Sequence, residues 1–420
     1  MKKILLVLFL MPLIIYSQNI NGILSSSYYT FQRFDNLNNS ETFVRSYQTM
    51  SLNFNKDNLS LRTRLNFESN IGNTLISDPR LRFYNLYFEA RNLFKVATLK
   101  IGRQSLFNSV AGGVYDGVNL QVKYSNFSLV GYYGGNVPAY QKLKFTDDLS
   151  NDYILGGKLE TTLLQNFRFA ISYVDKNFKP VDYETIRLSE NLDPITILIL
   201  QKSNQYKFLS AEASYELERK WNVNTRFDYD LNFSKASKFE INGRLQATDN
   251  FGIDLYYNYR EPRIRYNSIF SVFNYGNTQE MEAGLDYKIN KTYTLIGKFA
   301  NVVYEDENSQ RITVGVNSSF GSLTYRKNLG YAGELDAISI YAAKSFAEGT
   351  ITPSLGLSYT SYKLSEDSPL NSITSVLAGV NLRPFTQFSF DVQGQYFNNK
   401  IYKNDFRLLL KINYWFNTNF

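Results

Sequence analysis

The 420-residue chain has no cysteine and no histidine, and only 2 tryptophans. Each absence excludes something. Without imidazole, no Ser-His or Asp-His hydrolytic pair can form. Without histidine and cysteine, the usual transition-metal ligands are missing. No disulfide can hold the fold. Beyond the N-terminal segment, no stretch nears the ~18 apolar residues that a spanning helix needs. The longest later run is PITILIL, Pro194 to Leu200. No glycine-rich phosphate loop precedes a helical pattern either; GGVYDG (112–117) runs into a strand pattern and reads as a turn. The expectation is no enzyme, no catalytic residue, no metal, no cofactor and no nucleic-acid partner.

What is present is aromatic and weakly basic. Aromatics make up 16 % of the chain, with 33 Tyr and 32 Phe, and Lys plus Arg outnumber Asp plus Glu by 45 to 38. Lys2 and Lys3 precede a short apolar core, ILLVLFLMPLII, and then Ser17, a small residue. That order reads as a secretory signal peptide over 1–17, cleaved after Ser17, with the mature chain over 18–420. Loss of Lys2 and Lys3 lowers the formal charge from +7 to +5.

Period two dominates the rest. In NLSLRTRLNFE, Leu59, Leu61, Thr63, Leu65 and Phe67 oppose Ser60, Arg62, Arg64, Asn66 and Glu68. In WNVNTRFDYDL, Trp221, Val223, Thr225, Phe227, Tyr229 and Leu231 oppose Asn222, Asn224, Arg226, Asp228 and Asp230. Short connections (55–58, 125–126, 247–250, 290–292) alternate with long ones (69–80, 104–116, 136–152, 176–205, 261–278). Tight turns at one rim and loops at the other predict one antiparallel up-and-down transmembrane β-barrel, all-β, with an even strand number of roughly 16 to 22, nearer 18–22.

Turn positions predict register. A four-residue turn at NKDN sets Phe54 opposite Leu59 and Arg45 opposite Glu68; ATDN sets Arg244 opposite Asp254 and Glu240 opposite Asn258; ERK sets Arg226 opposite Glu212. All three hairpins then place opposite charges on one face. A soluble sandwich alternates too, with its polar face outward. The signal peptide, the unbroken pattern and tyrosines near strand ends (Tyr28, Tyr29, Tyr132, Tyr133, Tyr256, Tyr257, Tyr259, Tyr414, with Trp415) favour a bilayer barrel with aromatic girdles.

The final stretch, NDFRLLLKINYWFNTNF, alternates apolar residues and ends on Phe420. With Tyr414, Phe416 and Phe420 it resembles the C-terminal signal of Gram-negative outer-membrane proteins. The resemblance implies recognition by the barrel assembly machinery and residence in the outer membrane, against lipid and lipopolysaccharide. The segment 100–124 carries Gly102-Arg103-Gln104 and then Asp116-Gly117, and is similar to porin-like families, the alginate-export group among them. The Tyr-Ser-Gln at the end of the signal looks like signals common in the Bacteroidetes. Porins are often trimers, which leaves a homotrimer open.

The polar face supplies the candidate pore-lining residues: Arg45, Arg62, Arg64, Arg103, Arg226, Arg244, Asp254 and Arg260. Arg62 and Arg64, two steps apart with no adjacent acid, are the leading constriction candidates, and Tyr256 is the clearest lumen aromatic. YREPRIRY (259–266) adds Arg263 and Arg265 at a rim, suited to anions or lipopolysaccharide phosphates. The apolar ITILIL inside 176–205 reads as a loop folding in to narrow the pore, or as an unpaired extra strand. These residues predict a passive channel for small hydrophilic solutes with a weak anion preference. The alternatives are a barrel specific for an oligosaccharide and a closed structural or adhesive barrel.

Overall fold

The computed structural model describes residues 18–34, 39–72, 78–106, 110–180, 182–191, 193–200, 204–218, 220–266, 276–304, 307–330, 333–363, 367–400 and 403–420. Residues 1–17, the expected signal peptide, lie outside them. Among the described residues there is no α-helix and thus none long and apolar enough to cross a membrane.

Alternation becomes strands along the whole chain. The first nine are β1 (Asn19–Phe34), β2 (Ser40–Lys56), β3 (Leu59–Ile71), β4 (Arg80–Leu93), β5 (Ala97–Leu106), β6 (Gly113–Tyr124), β7 (Phe127–Asn136), β8 (Tyr153–Thr161) and β9 (Phe167–Phe178). A short hairpin follows, β10 (Tyr183–Leu188) and β11 (Pro194–Ile199). Then come β12 (Asn204–Leu217), β13 (Trp221–Asp230), β14 (Lys235–Gln246), β15 (Phe251–Arg260), β16 (Thr278–Lys288), β17 (Tyr293–Tyr304) and β18 (Glu307–Ser318). The last six are β19 (Gly321–Leu329), β20 (Gly333–Ala343), β21 (Ile351–Lys363), β22 (Asn371–Phe385), β23 (Phe388–Asn398) and β24 (Asp405–Asn419).

Each strand pairs antiparallel with the next, except that β9 pairs with β12 and leaves β10–β11 as a separate two-stranded sheet. β1 pairs with both β2 and β24, so 22 strands close into an up-and-down barrel with no free edge. The Phe420 amide donates to the Gln18 carbonyl at 3.1 Å where the first and last barrel strands meet. Connections at the terminal rim are two to seven residues long, and the long loops gather at the opposite rim. Twenty-two strands imply a ring about 40 Å across, far too wide for its own side chains to fill.

Curvature identifies the faces. Side chains splay apart on the convex surface of a closed sheet and crowd together on the concave one. On β24, Phe406, Leu408, Leu410 and Ile412 are 40–63 % exposed, whereas Asn413 is 5 % exposed. The same holds for Ile101, Leu129, Ile171, Leu255, Leu285 and Leu355, all open and apolar, so the apolar rows face outward around the ring. The adjacent aromatics therefore cannot all form girdles: Tyr133 is 45 % exposed on the outside, while Tyr132 is 7 % exposed and packs inside.

The ITILIL segment departs from the expectation. It forms β11, paired only with β10, and Ile186, Leu188, Leu198 and Leu200 are 59–72 % exposed. It is a hairpin outside the 22-stranded sheet, with most of its apolar side chains exposed. Other loops fold inward. Val110 packs against Ile154, Val174 and Phe208 on the inner face of β8, β9 and β12, beside Tyr115 and Tyr132.

Candidate functional site

The inner wall of β12–β18 is a ladder of ion pairs. Glu212 holds Lys158 at 2.6 Å and Arg226 at 3.7 Å, and Arg226 reaches Asp228 at 2.9 Å. Arg244 contacts Asp254 and Asp286, each at 2.8 Å. Lys298 meets Glu282 at 2.9 Å; Arg311 bridges Glu280 at 2.6 Å and Glu282 at 2.8 Å. Tyr256 stands in this field, beside a cavity of ≈ 450 Å³ lined also by Asp254, Glu280, Glu282, Lys298 and Arg311.

A second cluster occupies β2–β4. Arg45 is 7 % exposed and contacts Asn70 (2.7 Å), Glu68 (3.2 Å) and Asp78 (3.3 Å). Arg82 completes it at 2.9 Å from Glu68. Arg62 and Arg64 separate here. Arg62 meets Glu89 of β4 at 2.8 Å, an acid that lies beyond the next loop in the chain. Arg64 is exposed, makes no ion pair among the described residues, and has Tyr84 at 6.0 Å. Arg260 is likewise exposed at the end of β15 with no ion pair among the described residues.

Arg103 holds no free charge. It is 2 % exposed, bound twice to Asp116 (2.8 and 2.7 Å), and donates to the carbonyls of Gln141 (2.9 Å), Lys142 (2.8 Å) and Phe83 (3.3 Å). The β4–β5 ladder ends at Leu86–Arg103, so the guanidinium fills the place where those strands part and pins the loop after β7. Tyr140 of that loop lies 4.5 Å from Arg80 and 5.3 Å from Arg82, in cation–π contact. The glycines flanking the pair have a steric reason. A Cβ on Gly117 would strike the backbone of Tyr133 and Gly134, and Gly102 has φ +124°.

The YREPRIRY arginines also turn inward. Arg263 donates to the Val110 carbonyl at 3.0 Å and sits 3.9 Å from Asp228, which is 0 % exposed. Arg265 lies over Phe178 at 4.4 Å. Two loops from non-neighbouring strands thus meet inside the barrel, and neither announces this in its sequence. Outside the strands, the 2.7 Å bond from Lys179 holds the exposed Asp147 carboxyl below its usual range.

At the closing strand, Tyr414 stacks on Phe388 (4.7 Å) and Phe416 (5.8 Å) on the outer face, and Phe420 is 76 % exposed. Among the described residues no group of three or more acidic side chains is placed to hold a metal ion.

No protein-family model matches the chain, and no curated protein does. Solved structures do. The ferric enterobactin receptor PfeA of Pseudomonas aeruginosa is 9 % identical over 94 % of this chain and 80 % of its own, with a TM-score of 0.58. OccAB1 of Acinetobacter baumannii is 8 % identical over 95 % of this chain and 96 % of its own, at 0.43. Pseudomonas aeruginosa OccK2, solved with glucuronate, is 8 % identical over 95 % and 98 %, at 0.39. At these identities the likeness is one of fold.

Proposed function

We propose that the protein is an outer-membrane channel through which small hydrophilic solutes diffuse without turnover. The observation that carries this reading is the inverted alternation of a closed barrel: open apolar rows outside, ion-paired charges inside. Arg or Lys turned to lipid at mid-depth costs about 2–4 kcal/mol each, so this arrangement suits a bilayer and a wet interior. A closed ring also satisfies every strand edge, which a bilayer demands. In this reading the signal peptide 1–17 directs export, and Tyr414, Phe416 and Phe420 are read by the barrel assembly machinery of a Gram-negative cell. Lipid and lipopolysaccharide surround the outer face, and a homotrimer is one assembly to test. The porin-like, Bacteroidetes affinity stays with this proposal.

Selectivity follows from which charges are free. Arg45, Arg62, Arg226, Arg244 and Asp254 line the wall as paired charges. Arg64 and Arg260 face open space, and they carry the weak anion preference. Purified protein in a planar bilayer tests both levels. Stepwise conductance with a reversal potential leaning to anions is expected; firm cation selectivity rejects the preference. Absence of any step rejects the channel and favours a closed structural barrel, the reading to which the abundance of paired charges lends weight.

A further inference from the structure

Where β24 meets β1 and β2 near the terminal rim, the inner wall changes chemistry. Asn19 donates to Asn417 at 2.5 Å and Asn419 at 2.6 Å; Asn21 donates to Asn19 at 2.6 Å, and Asn53 to Asn21 at 2.9 Å. Ile23 pairs in register with Ser51 on one side and Trp415 on the other. Trp415 alternates with the outward Ile412, Tyr414 and Phe416 row, so its indole faces the interior. An open recess of ≈ 450 Å³ lies against it, lined by the polar Asn21, Ser51, Asn53, Gln387 and Asn417 and by Gly22, Ile23, Trp415 and Phe416. No lining residue is charged. Its size falls in the ~300–1,000 Å³ range of small-ligand sites.

We infer that this cavity binds a pyranose ring of a neutral oligosaccharide. The indole offers an apolar plate for the C–H face of a sugar, and its N–H, unpartnered among the described residues, offers a donor at the edge. The amides of Asn21, Asn53 and Asn417 each spend only part of their capacity within the asparagine ladder, and an amide supplies both donor and acceptor to vicinal hydroxyls. The lining itself holds no charged group to pair with a sugar acid. Sealing the barrel accounts for the Asn19–Asn417 and Asn19–Asn419 bonds, but not for an inward indole beside open space. Arg383, 5.5 Å from the ring centroid, is not part of the cavity lining. The inference rests on the channel reading only in requiring a wet interior; conduction is not needed.

The chain has 2 tryptophans, and Trp221 faces outward. Trp221→Phe in detergent micelles therefore makes Trp415 the sole indole reporter. Titration with maltohexaose and cellohexaose is expected to give a saturable emission change with at least one of them. Hexagalacturonate is expected to give none. Adding Asn53→Leu is expected to weaken the midpoint about tenfold, as loss of one well-made hydrogen bond to the sugar implies. No saturable change with either neutral hexasaccharide overturns the inference, as does an equal response to hexagalacturonate or an unaltered midpoint in Asn53→Leu. The parent titration needs no site variant, so misfolding of Asn53→Leu cannot hide a negative. Lack of bilayer conductance, by contrast, strikes only the channel reading.

Discussion

Two parts of the inner wall hold cavities of the same ≈ 450 Å³ and line them with opposite chemistry. Around Tyr256 the wall is ionised, with acids and bases from adjacent and next-but-one strands interlocked at 2.6–2.9 Å. Around Trp415 the cavity lining is uncharged, and asparagines of the first and last strands bond to each other. The difference teaches how each region specifies its register. A slip by one residue in the ionised wall turns charges toward lipid, a steep penalty. A slip at the seam breaks amide bonds worth only about 0.5–1.5 kcal/mol each, so the outward apolar row must do most of the specifying there.

Substitutions should separate the two chemistries. The largest effect is expected from Arg103→Ala. It leaves Asp116 buried without its partner, which costs about 3–5 kcal/mol and frees the loop that Arg103 holds. Urea unfolding followed by heat-modifiable gel mobility measures the loss; a change under 1 kcal/mol contradicts the assigned role. Asn19→Ala, at the centre of the amide ladder, is expected to cost less, about 1–2 kcal/mol by the same assay. A larger loss than for Arg103→Ala would reverse the ranking of the two chemistries. The double variant Arg64→Gln, Arg260→Gln should leave stability within about 0.5 kcal/mol while moving the reversal potential toward cations. An unmoved potential would assign selectivity elsewhere. Least of all, Lys179→Ala should return the Asp147 carboxyl toward its usual range without shifting the melting temperature. Asp147 is a depressed carboxylate, so whatever it contributes is present above its unfolded pKa and fades as pH falls through the lowered folded value. Carboxyl NMR titration reads that change directly.

Much of the architecture could be read from alternation, and some registers to the residue. Arg244 opposite Asp254, Glu240 opposite Asn258 and Arg226 opposite Glu212 all hold; the 218–220 turn has the length that the sequence suggests, and the other closes through the Ala247 amide on Phe251. The hairpin after β2 does not. Its turn uses only Asp57 and Asn58, with Asp57 at φ 49°, so Leu59 faces Lys56 and Phe54 faces Leu61. The polar face survives because the slip is two residues, and Arg45 still reaches Glu68 diagonally. Glu89 as the partner of Arg62 was hidden because a long loop separates their strands and fixes no register. The seam cavity was hidden for a stronger reason: it joins side chains nearly 400 positions apart, which only closure of the ring brings together. At ITILIL an apolar run became an exposed hairpin outside the barrel sheet, while Arg263 and Val110 folded inward with no apolar pattern to mark them.

The central claim is that the open apolar rows meet lipid and the polar rows meet water. Trp221 and Trp415 both lie near the terminal rim and point to opposite faces. Single-tryptophan proteins, Trp415→Phe and Trp221→Phe, reconstituted in vesicles, read the two faces separately. Brominated lipid should quench Trp221 strongly and Trp415 little, and aqueous acrylamide should do the reverse. Equal quenching of both by acrylamide, with neither touched by brominated lipid, would contradict the account.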